Sequence, residues 1–270
     1  MYSTAYIEQR AVLAVENALV KCPYIHPYLS ANDRTPSWDG YVLVYRDTSE
    51  QKSALMGNST VQIKGTTCAR RELDTVLYSV STVDLKNYHR DGGTIYFVVT
   101  VDLQTGNDKV YYCRLLPFDL QEWIAKAADQ KSITMPFSEL PSQDHEIMYI
   151  FMDFVRNKRK QMSFADATMP SLKSLQKENI PIAAIKFNTI GIFDDTQDMF
   201  KFISAHDTYL YAEIAGNIDV PIDKVLQPII QERVNSPVSI GDNVYYIQPR
   251  PISLQNGGGF LLAGCFAFFR

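Results

Sequence analysis

A mixed α/β domain followed by a smaller, β-rich α+β region is the fold class that this sequence predicts, and three observations carry the prediction. Helical and strand spacings of apolar residues alternate through residues 1–160, strand patterns dominate from 161 onward, and the composition is that of a folded chain. With 46% hydrophobic and 21% charged residues in 270, a real core can be buried. That length predicts two domains, 1–160 and 161–270.

Residues 3–21 set Ile7, Ala11, Val12, Ala14, Val15, Ala18 and Leu19 on a helical repeat that stops at Cys22-Pro23. Gly40-Tyr-Val-Leu-Val-Tyr45 and residues 59–65 read as strands, with Gly57-Asn58 expected as the turn of a hairpin between them. A strand at 75–80, a short helix at 84–89 and an apolar strand at 94–101 follow. After a turn over 102–108 come a strand at 109–115, a helix at 119–128, an extended segment at 133–137 and a helix at 145–160. Beyond 161, strands are expected at 183–192, 208–214, 243–247 and 259–269, separated by turn signals at Gly216-Asn217, Gly241-Asp242 and Asn256-Gly-Gly-Gly259. The closing Phe266-Ala-Phe-Phe269-Arg270 reads equally as a natural terminal strand and as a cut within a longer protein, so a further C-terminal domain belongs to the expectation.

No stretch approaches the roughly 20 uncharged apolar residues of a membrane span, and no basic region precedes an apolar run at the N-terminus. A cytoplasmic protein without a membrane partner is expected. Cys22, Cys68, Cys113 and Cys265 lack CxxC spacing and read as reduced thiols, and the four histidines lack metal-ligand spacing. A formal charge of −4 supplies no global attraction to nucleic acid, so a DNA partner would need a local basic face. Arg156-Asn-Lys-Arg-Lys160 suits phosphates or, more simply, the dipole of its own helix C-terminus. The sixteen tyrosines and Trp123 favour packing over base stacking.

The informative chemistry lies around the first hairpin. Asp39 precedes the first strand, and alternation puts Gln62 and Lys64 on one face of the second, with Val61 and Ile63 on the other. Glu8 and Glu16 on the preceding helix are further carboxylates, about 80° apart around its axis. Asp39, a glutamate, the Gln62 amide oxygen and the Ile63 carbonyl would offer hard oxygens to Mg²⁺ or Mn²⁺, with positions left for water and phosphate. Lys64 would activate the attacking water or neutralise charge on the phosphate.

The order helix-Glu, Asp39-Gly, Val61-Gln-Ile-Lys-Gly65, then Tyr78-Ser-Val-Ser-Thr-Val-Asp-Leu-Lys-Asn-Tyr88 leading into Thr94-Ile-Tyr-Phe-Val-Val99, resembles the PD-(D/E)xK nuclease superfamily in its Mrr-like branch. There, Gln often replaces the second acidic ligand. The resemblance covers residues 1–160 and is similar to bacterial domains found at the N-terminus of larger, defence-related proteins. It implies a restriction-endonuclease-like sheet and Mg²⁺-dependent cleavage of DNA phosphodiesters, with Asp39, Gln62, the Ile63 carbonyl and Glu8 or Glu16 at the metal. It also implies Lys64 as the catalytic cation, with Lys64, Arg70 and Arg71 on the DNA side. Glu8 is favoured over Glu16. Because Gln62 removes one negative charge, two other readings stay open: a nuclease fold that binds nucleic acid or a protein without cutting, and a structural interaction module. A homo-oligomer is compatible with all three.

Overall fold

The structure is a computed structural model that describes residues 2–31, 37–67, 75–164, 168–189, 192–193, 206–214, 218–225, 238–240, 243–250, 260–261 and 264–269. It divides into two compact units, Met1–Asp166 and Ala167–Arg270.

Ser3 opens the first unit by accepting the Tyr6 N–H at 3.2 Å, which caps α1 (Thr4–Leu19), and Ala11, Val12, Val15 and Leu19 form the helix's buried stripe. An edge hairpin follows, β1 (Ile25–Leu29) with β2 (Gly40–Tyr45), and then the long β3 (Leu55–Thr66). Here one expectation is corrected. Gly57 and Asn58 are not a turn; they lie inside β3, opposite Val44 and Leu43, and the chain reverses over residues 46–54. A Cβ on Gly57 would stand 2.9 Å from Val155 Cγ1, so glycine serves there to let a helix approach.

The unit continues through β4 (Thr75–Ser81), α2 (Thr82–Arg90), β5 (Thr94–Thr100), β6 (Lys109–Leu115), α3 (Pro117–Ala127), β7 (Ser132–Glu139) and α4 (Asp144–Gln161). Its seven-stranded sheet has the order β1-β2-β3-β5-β6-β7-β4. β3 and β5 pair in parallel, with Gln62 opposite Tyr96 and Lys64 opposite Val98, and the other ladders are antiparallel. Parallel neighbours need a crossover, and here it passes through β4 and α2.

Alternation then sorts the sheet's two faces. A Cβ on Gly65 would meet Ile7 of α1 and one on Gly57 would meet Val155 of α4, so β3's odd-numbered positions face those two helices. The other face packs Tyr96, Val98 and Tyr111 against Leu85 and Tyr88 of α2 and Leu120 of α3. The first unit is thus a large mixed sheet flanked by helices.

The second unit contains α5 (Leu172–Lys177), β8 (Ile182–Thr189), β9 (Ile192–Phe193), β10 (Thr208–Ile214), β11 (Ile218–Val225), β12 (Val238–Ile240), β13 (Asn243–Arg250), β14 (Phe260–Leu261) and β15 (Gly264–Phe269). Six of these strands form an antiparallel sheet in the order β11-β10-β8-β15-β13-β12. Leu175 of α5 packs with Ile185, Ala212 and Ile222 in its core. The turn signals at Gly216-Asn217, Gly241-Asp242 and Asn256–Gly259 lie outside the described residues. No helix among the described residues is long and apolar enough to cross a membrane.

Candidate active site

Asp39 sits where β2 begins, held on both sides by backbone. Its N–H donates to the Val61 carbonyl and its own carbonyl accepts the Ser30 N–H, each at 2.9 Å. Since Gly40 lies opposite Val61, this arrangement carries the pairing one residue further and sets Asp39 beside Gln62. Both side chains are buried, at 8% and 3% exposure. Asp39 Oδ2 accepts the Ile63 N–H at 2.6 Å and is also bonded by Gln62 Nε2. Gln62 Nε2 leans on the Ile63 carbonyl at 3.4 Å.

Helix α2 fixes this pair from above. The Tyr88 hydroxyl donates to Gln62 Oε1 at 3.3 Å, and the Trp38 ring meets the Tyr88 ring edge-on at 6.1 Å. Ser37, in the left-handed region at φ 71°, donates its hydroxyl to Asp84 at 2.7 Å and accepts from Asn87 Nδ2 at 3.1 Å. The approach to Asp39 is therefore pinned to α2 at two successive residues. Burial, reinforced by a neighbouring tyrosine and by Asp84 and Asp39, pushes the hydroxyls of Tyr88 and Tyr96 far above the ordinary tyrosine range. Both remain protonated at any working pH.

Lys64, the next residue along on the face of Gln62, is exposed and makes no hydrogen bond or ion pair among the described residues. Beside Asp39 opens a groove of about 540 Å³ lined in part by Trp38, Gly40, Tyr41 and Thr60, with Tyr28 stacked on Tyr41 at 5.2 Å. The two glutamates are placed differently. α1 covers the opposite face, where a Cβ on Gly65 would come 2.8 Å from the Ile7 carbonyl, so Glu8 lies toward the Lys64-Gly65 end of β3. Glu16 is about 12 Å further along the helix. Arg70 and Arg71 lie outside the described residues. The basic run closing α4 makes contacts within the chain: Arg159 Nη2 donates to the Met56 carbonyl at 2.8 Å, and Lys158 approaches Asp91 at 3.8 Å.

The structure thus brings Asp39, Gln62 and the Ile63 backbone into contact and sets Lys64 on the same face. Among the described residues no group of three or more His, Cys, Asp or Glu could hold a metal. Any cation here would depend on the mixed donors that the sequence suggested, and these fit on one condition. As arranged, the Gln62 amide presents N–H to Asp39 and oxygen to Tyr88. A half-turn of that amide exchanges two atoms of nearly equal size and would place Gln62 Oε1 beside Asp39 Oδ2. One carboxylate and two neutral oxygens are then a set that Mg²⁺ accepts when water and a phosphate complete its shell.

Tyr88, Asp84 and Ser37 were not among the sequence candidates. A signal for the first two was nevertheless present: Ser81-x-x-Asp84 opens α2, where the Ser81 hydroxyl accepts the Asp84 N–H, and Tyr88 stands one turn beyond Asp84. Comparison of the chain with protein-family models, curated proteins and solved structures finds no significant match.

Proposed function

We propose that the first unit is a divalent-metal-dependent DNA endonuclease that hydrolyses phosphodiester bonds, in the manner of Mrr-like PD-(D/E)xK domains with a role in defence against foreign DNA. The observation that carries this reading is the buried contact of Asp39 with Gln62, with an exposed Lys64, unpaired among the described residues, next on the same face. Asp39, Gln62 and the Ile63 carbonyl would hold Mg²⁺ or Mn²⁺. Bound there, the ion would supply charge neutralisation to the phosphate and an acidified water. The chain's own residues do the rest. Asp39 accepts the Ile63 N–H, the exposed Lys64 can orient the attacking water or pair with a phosphate oxygen, and the groove lined in part by Trp38, Gly40 and Tyr41, next to Asp39 in the chain, would take part of the DNA strand.

A second reading has its own observation. Asp39 Oδ2 already receives two protein N–H donors, so the pocket is satisfied without a cation, as it would be in a fold that binds nucleic acid or a protein without cutting. Incubating supercoiled plasmid with the intact protein in Mg²⁺, Mn²⁺ or EDTA separates the two. Nicking with either metal and none in EDTA supports the nuclease, whereas DNA retention without strand cleavage supports the binding module.

A further inference from the structure

We propose that Tyr88 is a positioning residue that sets which way the Gln62 carboxamide faces, and through it the affinity of Asp39 for a divalent cation; this rests on the nuclease reading above. The Tyr88 ring is fully buried between Trp38 and Tyr96, and its hydroxyl is 3.3 Å from Gln62 Oε1. A tyrosine hydroxyl both donates and accepts. In the arrangement observed it donates to Gln62 Oε1 while Gln62 Nε2 faces Asp39. With the amide reversed toward a cation, the same hydroxyl accepts from Gln62 Nε2. One side chain therefore serves both orientations, and no other described hydroxyl bonds to Gln62.

Phenylalanine would keep the ring contacts and remove the partner. The loss falls unequally on the two states, because an orphaned N–H is tolerated in protein interiors less well than an orphaned carbonyl. The cation-bound orientation needs an acceptor for that N–H. Tyr88→Phe should therefore weaken Mg²⁺ binding about three- to tenfold, the scale of one hydrogen bond.

Gln62→Glu supplies the control, since a carboxylate has no N–H to place. Tyr88→Phe in that background should leave Mg²⁺ affinity unchanged or raised. The experiment is titration calorimetry of Mg²⁺ into the full chain carrying neither change, each alone and both, with urea unfolding of each to confirm the fold. A penalty present with Gln62 and absent after Gln62→Glu establishes the positioning role. An equal penalty in both backgrounds means packing alone and overturns it, as does no penalty in either. Failure of the unaltered chain to bind Mg²⁺ is a separate result, which removes the nuclease reading and this inference with it.

Discussion

A single carboxylate, Asp39, ties the start of β2 to β3 and also places a negative charge in direct contact with Gln62. These two roles separate by substitution. Asp39→Ala leaves the Ile63 N–H and the Gln62 amide facing a buried gap, which should cost about 1–3 kcal/mol of stability in urea unfolding, with loss of Mg²⁺ binding. Asp39→Asn retains an acceptor for the Ile63 N–H, and its own amide can donate to a reversed Gln62. It should unfold within about 1 kcal/mol of the parent. Because the charge is gone, calorimetry should find Mg²⁺ affinity lost all the same. A stable Asp39→Asn protein with undiminished affinity would mean that the carboxylate binds no metal.

The elements around the site are held by close approach and by buried charge. α1 crosses β3 so tightly at Gly65 that a methyl group there would sit 2.8 Å from the Ile7 carbonyl and 2.9 Å from Ile7 Cγ2. Gly65→Ala must displace the helix, and a cost of about 1–3 kcal/mol in urea unfolding is expected. α4 is tied to β6 by Arg114 Nη1 and Asp153 Oδ2 at 2.5 Å, with Asn157 Nδ2 donating to Asp153 at 2.8 Å and the guanidinium 5.7 Å from the Tyr149 ring. Burial pushes the Asp153 carboxyl up, against the pull of Arg114. Asp153→Asn removes the counter-charge of a buried guanidinium and should destabilise by about 3–5 kcal/mol, while Arg114→Met combined with Asp153→Leu should cost less. Sequence periodicity located most of these elements because their spacing is regular. Helix α1 falls at Thr4–Leu19 against an expected 3–21, and β6 at Lys109–Leu115 as expected. It missed β1, where Pro27 interrupts the strand pattern; that proline is tolerated because β1 is an edge strand. It shortened β3 because Gly57-Asn58 carries turn composition, although the glycine is there to admit Val155.

At the scale of the whole first unit, the shared face of Asp39, Gln62 and Lys64 was legible and the helix that covers it was not, for one physical reason. Asp39, Gln62 and Lys64 lie on adjacent antiparallel strands, where alternation alone fixes the shared face. Which helix covers that face depends on the crossover from β3 to its parallel partner β5, a long-range choice that local spacing does not record. The crossover brings α2 and Tyr88 to Gln62 and leaves α1, with Glu8 and Glu16, on the other side of the sheet. The chemistry assigned to this face therefore falls most heavily on Lys64, which is exposed and makes no hydrogen bond or ion pair among the described residues. The rate at which the intact Lys64→Ala protein nicks supercoiled plasmid in saturating Mg²⁺, compared with the unaltered chain at matched DNA occupancy, puts that assignment to the test. A fall of roughly 10²-fold with stability unchanged is predicted, the scale of losing a positioned proton-transfer group. Equal rates in the two proteins, or no Mg²⁺-dependent nicking by either, would contradict it.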